Sequence, residues 1–205
     1  MGAVKLTKND LKTQKDRLRQ FERYLPTLRL KKQQLQAVIM KSAAELERAE
    51  KRYAETVDGL GDWVAVFAEN ATFAEDFKIE RLVVPDKVVC GRENIAGVFV
   101  PVFKELTFRD ADYDVDDYPL WVDEALVRLR EISACDALLK TLRKQTELLE
   151  RELRVTTQRV NLFEKIMIPE ARENIRKIEI YLGDQQTSAV VRGKIAKKKR
   201  QGATS

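Results

Sequence analysis

Apolar side chains recur along the first sixty residues with gaps that alternate between three and four. Leu11, Leu18, Leu25, Ile39, Leu46, Tyr53 and Leu60 fall on one heptad position, which Lys32 shares. Phe21, Leu28 and Leu35 fall on the second inward position, together with Gln14, Ser42, Ala49 and Thr56. Two inward positions per seven residues, kept in phase for about seven heptads, predict a long α-helix with one sticky seam and a left-handed supercoil around a partner. Thr7 followed by Asp10 supplies a capping-box variant at its start. The stretch "DGLGDW" at 58–63 predicts a weakening or a bend, with helix resuming through Val64 to Phe67.

A second seam occupies the C-terminal part of the chain. It runs through Ile132, Cys135, Leu139, Leu142, Leu149, Leu153, Val160, Phe163 and Met167, with Thr146 and Thr156 as polar exceptions. Beyond Pro169 the apolar set becomes Ala171, Ile175, Ile178 and Leu182. That set is read as a four-residue displacement, a stutter that unwinds the coil locally. Pro169 itself is out of place by helix chemistry, because an interior proline removes a hydrogen bond and costs about 3 kcal/mol. Pro26 interrupts the first seam in the same way. In an antiparallel pair the two prolines come to similar heights, which predicts a bend of the shaft at Pro26 and Pro169.

Between the two seams the pattern changes. "IERLVVPDKVVCGRENIAGVFVPVFKELTF" is rich in Val, Ile and Phe and punctuated by Pro-Asp and Gly, which predicts two to four short strands paired as hairpins. The expected fold is therefore mainly α: a long antiparallel left-handed coiled-coil hairpin with a small strand-containing insert between its helices. The expected divisions are an N-terminal helix over 1–68, the insert over 69–118, a C-terminal helix over 119–191 with Pro119 at its start, and a basic, flexible tail over 192–205. Each helix of roughly 60 residues would measure about 90 Å.

Composition sharpens this picture. Charged residues make up 35% of the 205, with 38 Lys and Arg against 33 Asp and Glu, while there are only 8 Gly and 5 Pro. Many charges of both signs and few turn-formers suit long, solvent-laced helices. Cys90 and Cys135 belong to no metal or redox motif, which fits a reducing compartment. The start lacks the marks of a signal peptide or a myristoylation site. The longest uncharged run, "IAGVFVPVF", is too short to span a bilayer. A cytoplasmic location is the expectation.

Candidate chemistry is sparse. The chain has no histidine, the commonest general base and metal ligand. "RGK" at 192–194 lacks the flanking residues of a phosphate-binding loop. "DADYDVDD" at 110–117 lacks the glycine and the distal glutamate of a calcium loop. No catalytic residue, cofactor site or metal site is expected, and no small-molecule ligand. The cluster Arg192, Lys194, Lys197 and Lys198 could meet phosphates or an acidic protein surface. No aromatic side chain is interleaved with it as a base-stacking platform, which argues against nucleic acid.

"VNLFEKIMIPEARENIRKIEIYL" carries a specific resemblance, through Asn161, Glu164, Ile168, Pro169, Ile175, Ile178 and Leu182. A second stretch, "LTKNDLKTQKDRLRQFERYLPTLRLKKQQLQ", adds Thr7, Leu11, Leu18, Leu28, Lys31, Lys32 and Leu35. Together they resemble the D-subunit family of V-type and A-type rotary ATPases, in its bacterial branch. The resemblance covers roughly residues 1–68 and 120–198. It implies a non-catalytic central rotor stalk that turns inside a hexamer of catalytic and nucleotide-binding subunits. It also implies two further partners, the small F-subunit of the central stalk and the funnel-shaped protein that seats the stalk on the membrane ring. Such a shaft couples ATP hydrolysis or synthesis to proton or sodium transport at the cell membrane. In that setting Arg192, Lys194, Lys197 and Lys198 would contact the hexamer's central sleeve. A free-standing coiled-coil adaptor or chaperone-like binding protein is the competing expectation.

Overall fold

The computed structural model describes residues 5–61, 82–109 and 121–202. The elements run in the order α1 (Lys8–Asp58), β1 (Pro85–Ile95), β2 (Val98–Phe108), α2 (Val122–Leu162), a π-turn (Phe163–Met167) and α3 (Ile168–Gly202). They fall into two compact units, a terminal unit of residues 1–32 with 155–205 and a hairpin unit of residues 33–154. The expected helix resumption at 64–67, the acidic run 110–117 and the start at Pro119 lie outside the described residues.

α1 begins where its capping chemistry predicts. The Thr7 hydroxyl oxygen accepts the Asp10 amide at 3.2 Å, and the hydroxyl donates to the Asp10 carboxylate at 2.9 Å. The helix then runs through Pro26 without interruption. Leu11, Gln14, Leu18, Phe21, Leu25, Leu28, Lys32, Leu35, Ile39, Ser42, Leu46, Ala49, Tyr53, Thr56 and Leu60 are all buried or half-buried, and most residues between them are exposed. Spacings of three and four thus select one stripe of the helix for contact.

In the hairpin unit α1 and α2 run antiparallel, since Glu50 pairs with Arg143 while Arg52 reaches back to Glu131. Polar residues on these two helices turn their hydroxyls onto their own helix. Thr56, Thr141 and Thr146 each donate to the carbonyl four residues earlier, at 2.8, 2.8 and 3.0 Å. A buried hydroxyl satisfied in this way avoids the desolvation cost of an unpaired donor.

Among its described residues the strand-rich insert forms one two-stranded antiparallel sheet, with Ile95 opposite Val98 at the tip and Pro85 opposite Phe108 at the open end. Its two loop residues, Ala96 and Gly97, have φ of 52° and 82°. A two-residue hairpin loop with both residues left-handed matches the twist of the strands. Glycine adopts that conformation freely, whereas alanine there costs about 1–2 kcal/mol.

The hairpin is packed rather than free. Val100 of β2 forms a fully buried cluster with Leu35 of α1 and Leu149 of α2, flanked by Ile39, Ile95 and Leu153. Arg130 of α2 lies over the Phe108 ring, and the Cys90 thiol sits 4.0 Å from the Thr141 hydroxyl. A third layer on the helix pair explains why α2 is covered on more than one face, with Cys135, Ala137, Leu139, Thr141 and Gln145 all buried. Truncating the residue at the centre of this three-element cluster, Leu149→Ala, should lower unfolding stability by about 2–5 kcal/mol. Met40→Ala, at a side chain 75% exposed, should stay within about 0.5 kcal/mol of the parent. Denaturant unfolding of both variants checks the contrast.

Candidate functional site

The terminal unit carries most of the residues singled out for function. Its helices are joined across the seam by three ion pairs. Lys15 meets Glu179 at 2.7 Å, Glu22 meets Arg172 at 2.8 Å, and Arg29 meets Glu164 at 2.6 Å. Partner numbers fall as α1 numbers rise, so this pair is antiparallel too. Phe21 and Phe163 add an edge-to-face ring contact with centroids 5.3 Å apart. All six charged side chains are about half exposed. Solvent screening therefore limits each pair to about 0–1 kcal/mol.

The π-turn interrupts the helical ladder at Phe163–Met167. The Ile168 amide donates to the Phe163 carbonyl, five residues back rather than four. The widened turn adds one residue to the circuit of the helix. Pro169, exposed in the first turn of α3, follows at once. Up to the end of the turn the inward residues are Val160, Phe163 and Met167. After it the apolar inward residues are Ile168, Ala171, Ile175, Ile178 and Leu182, all buried or half-buried, with Asn174 half-buried beside Ile175. A regular three-four alternation continued from Val160 would select positions 170, 174, 177 and 181. The displacement is therefore one residue and has the form of a π-turn, which corrects the four-residue stutter expected from the apolar pattern alone. Pro26 and Pro169 lie in the same interval of the ion-pair ladder, between Glu22–Arg172 and Arg29–Glu164.

On the second helix the remaining expected seam residues, Ile132, Leu139, Leu142, Leu149 and Leu153, are likewise buried or half-buried. Leu182 is the last inward side chain of α3. From Gly183 to Gln201 every residue is exposed, yet the helix runs on to Gly202. Residues 192–202, expected as a flexible tail, thus continue α3. This end bears Arg192, Lys194, Lys197 and Lys198 with Lys199 and Arg200, against the single acid Asp184. Val190, Val191 and Ile195 lie exposed among them. A shallow concavity is lined by Gly193, Ala196, Lys197, Arg200 and Gln201, and no heavy atom lies within 4 Å of where a Gly193 Cβ would stand.

Elsewhere, an open apolar groove of about 490 Å³ lies between the β-hairpin and α2, with Val88, Cys90, Pro101, Leu106, Ala137 and Thr141 among its walls. Its charged rim includes Asp136 and Lys140, paired at 2.6 Å. Among the described residues no three His, Cys, Asp or Glu side chains converge as a metal site. No helix among them is long and apolar enough to cross a membrane. Glu147, exposed on α2, has its carboxyl held below the ordinary glutamate range by the hydrogen bond from Lys144 and that cation's charge, with a smaller contribution from Arg151.

These features define a class: antiparallel helices paired within each of two units, with a small sheet packed on the pair in one and a basic helical end in the other. The chain belongs to the ATP synthase D-subunit family, whose model matches residues 10–198. The match reaches past Leu182 and takes in all four cations from Arg192 to Lys198. The V-type ATP synthase D-subunit of Borreliella burgdorferi is 48% identical, over 96% of this chain and 95% of its own. The proteins of the same name from Chlamydia felis and Chlamydia pneumoniae are 37% and 34% identical, over 97% and 96% of this chain and 94% and 92% of theirs. As a member of that family the chain acts within an ATP synthase complex.

The electrostatics of the helix surface make a direct prediction. Replacing Lys144 with Met should move the Glu147 titration midpoint up toward the ordinary glutamate value. Because the folded-state value is depressed, the contribution of this pair exists above the unfolded carboxylate's pKa and disappears as pH falls through the folded one. Carboxyl-carbon NMR titration of wild type and K144M measures the shift, and an unchanged midpoint would contradict the assignment.

Proposed function

We propose that this chain is the central shaft of a V/A-type rotary ATPase, a non-catalytic rotor that transmits torque between a catalytic hexamer and a membrane ring. ATP hydrolysis or synthesis is thereby coupled to proton or sodium transport. Its partners in this reading are the catalytic and nucleotide-binding subunits of the hexamer, the small F-subunit of the central stalk, and the funnel-shaped seat on the ring. The complex lies on the cytoplasmic face of the membrane.

The observation that carries the reading is the exposed end of α3. Nineteen consecutive residues there are helical yet exposed, all beyond the last inward side chain of the seam. An isolated helix of that length is marginal in water, and Gly183 and Gly193 each weaken it by about 1 kcal/mol relative to alanine. A surrounding protein sleeve supplies what the chain lacks: cover for Val190, Val191 and Ile195, and acidic or carbonyl groups for Arg192, Lys194, Lys197 and Lys198. The solvated charges along the helix pair favour a surface that turns without one deep contact. The family match weighs against a free-standing adaptor.

Co-expression with the hexamer proteins and the F-subunit should yield one complex that retains this chain. Recovery of a hexamer without it would overturn the shaft reading. Within the assembled complex, R192E/K194E/K197E/K198E should weaken assembly or lower ion-coupled ATPase activity several-fold. Unchanged coupled activity would remove the proposed sleeve contact.

A further inference from the structure

The π-turn and the ion-pair ladder share an arithmetic that neither shows alone. On α1, Lys15, Glu22 and Arg29 are spaced seven and seven. Their partners Glu179, Arg172 and Glu164 are spaced seven and then eight. The longer interval is the one that starts inside the π-turn, at Glu164. The buried positions show the same step, advancing by one residue between Met167 and Ile168. Ion pairs on the rim and apolar side chains in the seam thus report one extra residue at one place.

We propose that Phe163–Met167 is a rephasing joint: it holds a single surplus residue so that the helix on both sides keeps one register with α1, and Pro169 fixes it at this position. A π-turn takes up an inserted residue without breaking the helix. Without that turn, either Val160 and Phe163 or Ile178 and Leu182 would rotate off the seam by about 100°, the angle of one helical residue. Pro169 fixes the location through the carbonyl of Lys165. In a regular helix that carbonyl would accept from residue 169 and would collide with the proline ring. The wider turn relieves the collision and needs no donor from the proline. An opening one or two turns away would leave Pro169 inside ordinary α-helix.

Single-residue deletions in the full chain test this. Deleting the exposed Lys165 together with Pro169→Ala removes the surplus residue and the ring, leaving an unbroken α-helix in which Ile168 takes the inward position of Met167 and the other seam contacts stay in place. Its melting temperature, followed by circular dichroism, should equal or exceed that of wild type. Deleting exposed Arg176 instead should lower it by about 5 °C or more, because Ile178, Leu182 and Glu179 all lose their positions. Deleting Lys165 alone should fall between the two, since Pro169 then interrupts a regular helix. The joint is overturned if the Lys165 deletion with Pro169→Ala loses half or more of what the Arg176 deletion loses. The role of Pro169 is overturned if the Lys165 deletion melts at the same temperature with and without Pro169→Ala. If the Arg176 deletion does not fold, cooperative melting of the Lys165 deletion with Pro169→Ala supports the joint, and failure of both rejects it.

Discussion

Phase along the helix seam is the constraint from which the rest of this structure follows. A helix in a coiled coil contacts its partner through two positions in seven, so any residue out of phase moves a side chain from the interface into water. α1 keeps this phase from Leu11 to Thr56 and places even Gln14, Lys32, Ser42 and Thr56 inward. The energetic weight lies in the buried apolar layers, because half-exposed ion pairs such as Lys15–Glu179 contribute little each. Their value is informational: they mark which residues face one another, and so make a one-residue step visible.

The β-hairpin answers a different need. A two-stranded sheet is marginally stable alone, and this one gains a core by inserting Val100 between Leu35 and Leu149. In return it covers a second face of α2, which explains buried residues such as Thr141 and Gln145 that no two-helix seam would enclose. The left-handed Ala96 at its tip is tolerated because Ile95 and Val98 on either side of the loop pack against that same cluster.

Much of this is legible in the residues themselves. Heptad spacing locates both helices and their inward faces, Thr7 and Asp10 mark the first cap, and Val-rich alternation between Pro and Gly marks the insert. Three features are not legible, each for a physical reason. The one-residue step is masked because Leu162, Ile166 and Ile168 are all apolar around it, although Leu162 and Ile166 prove exposed and only Ile168 is buried. The third layer depends on contacts between residues more than twenty positions apart, which periodicity does not encode. The helicity of the basic end goes against its two glycines and its lack of an inward stripe, so local composition reads it as a tail.

The proposed shaft role makes a mechanical claim. In the terminal unit the helix pair carries registered layers and a basic helical end, and in the hairpin unit the sheet packs on the helix pair. The most direct measurement is single-molecule rotation in the reconstituted complex, with the hexamer fixed to a surface and a bead attached to Asn94→Cys on the exposed hairpin, in a Cys90→Ser background. Adding ATP should turn the bead in one direction, in steps that follow hydrolysis. A bead that stays still while the same complexes hydrolyse ATP would contradict the account.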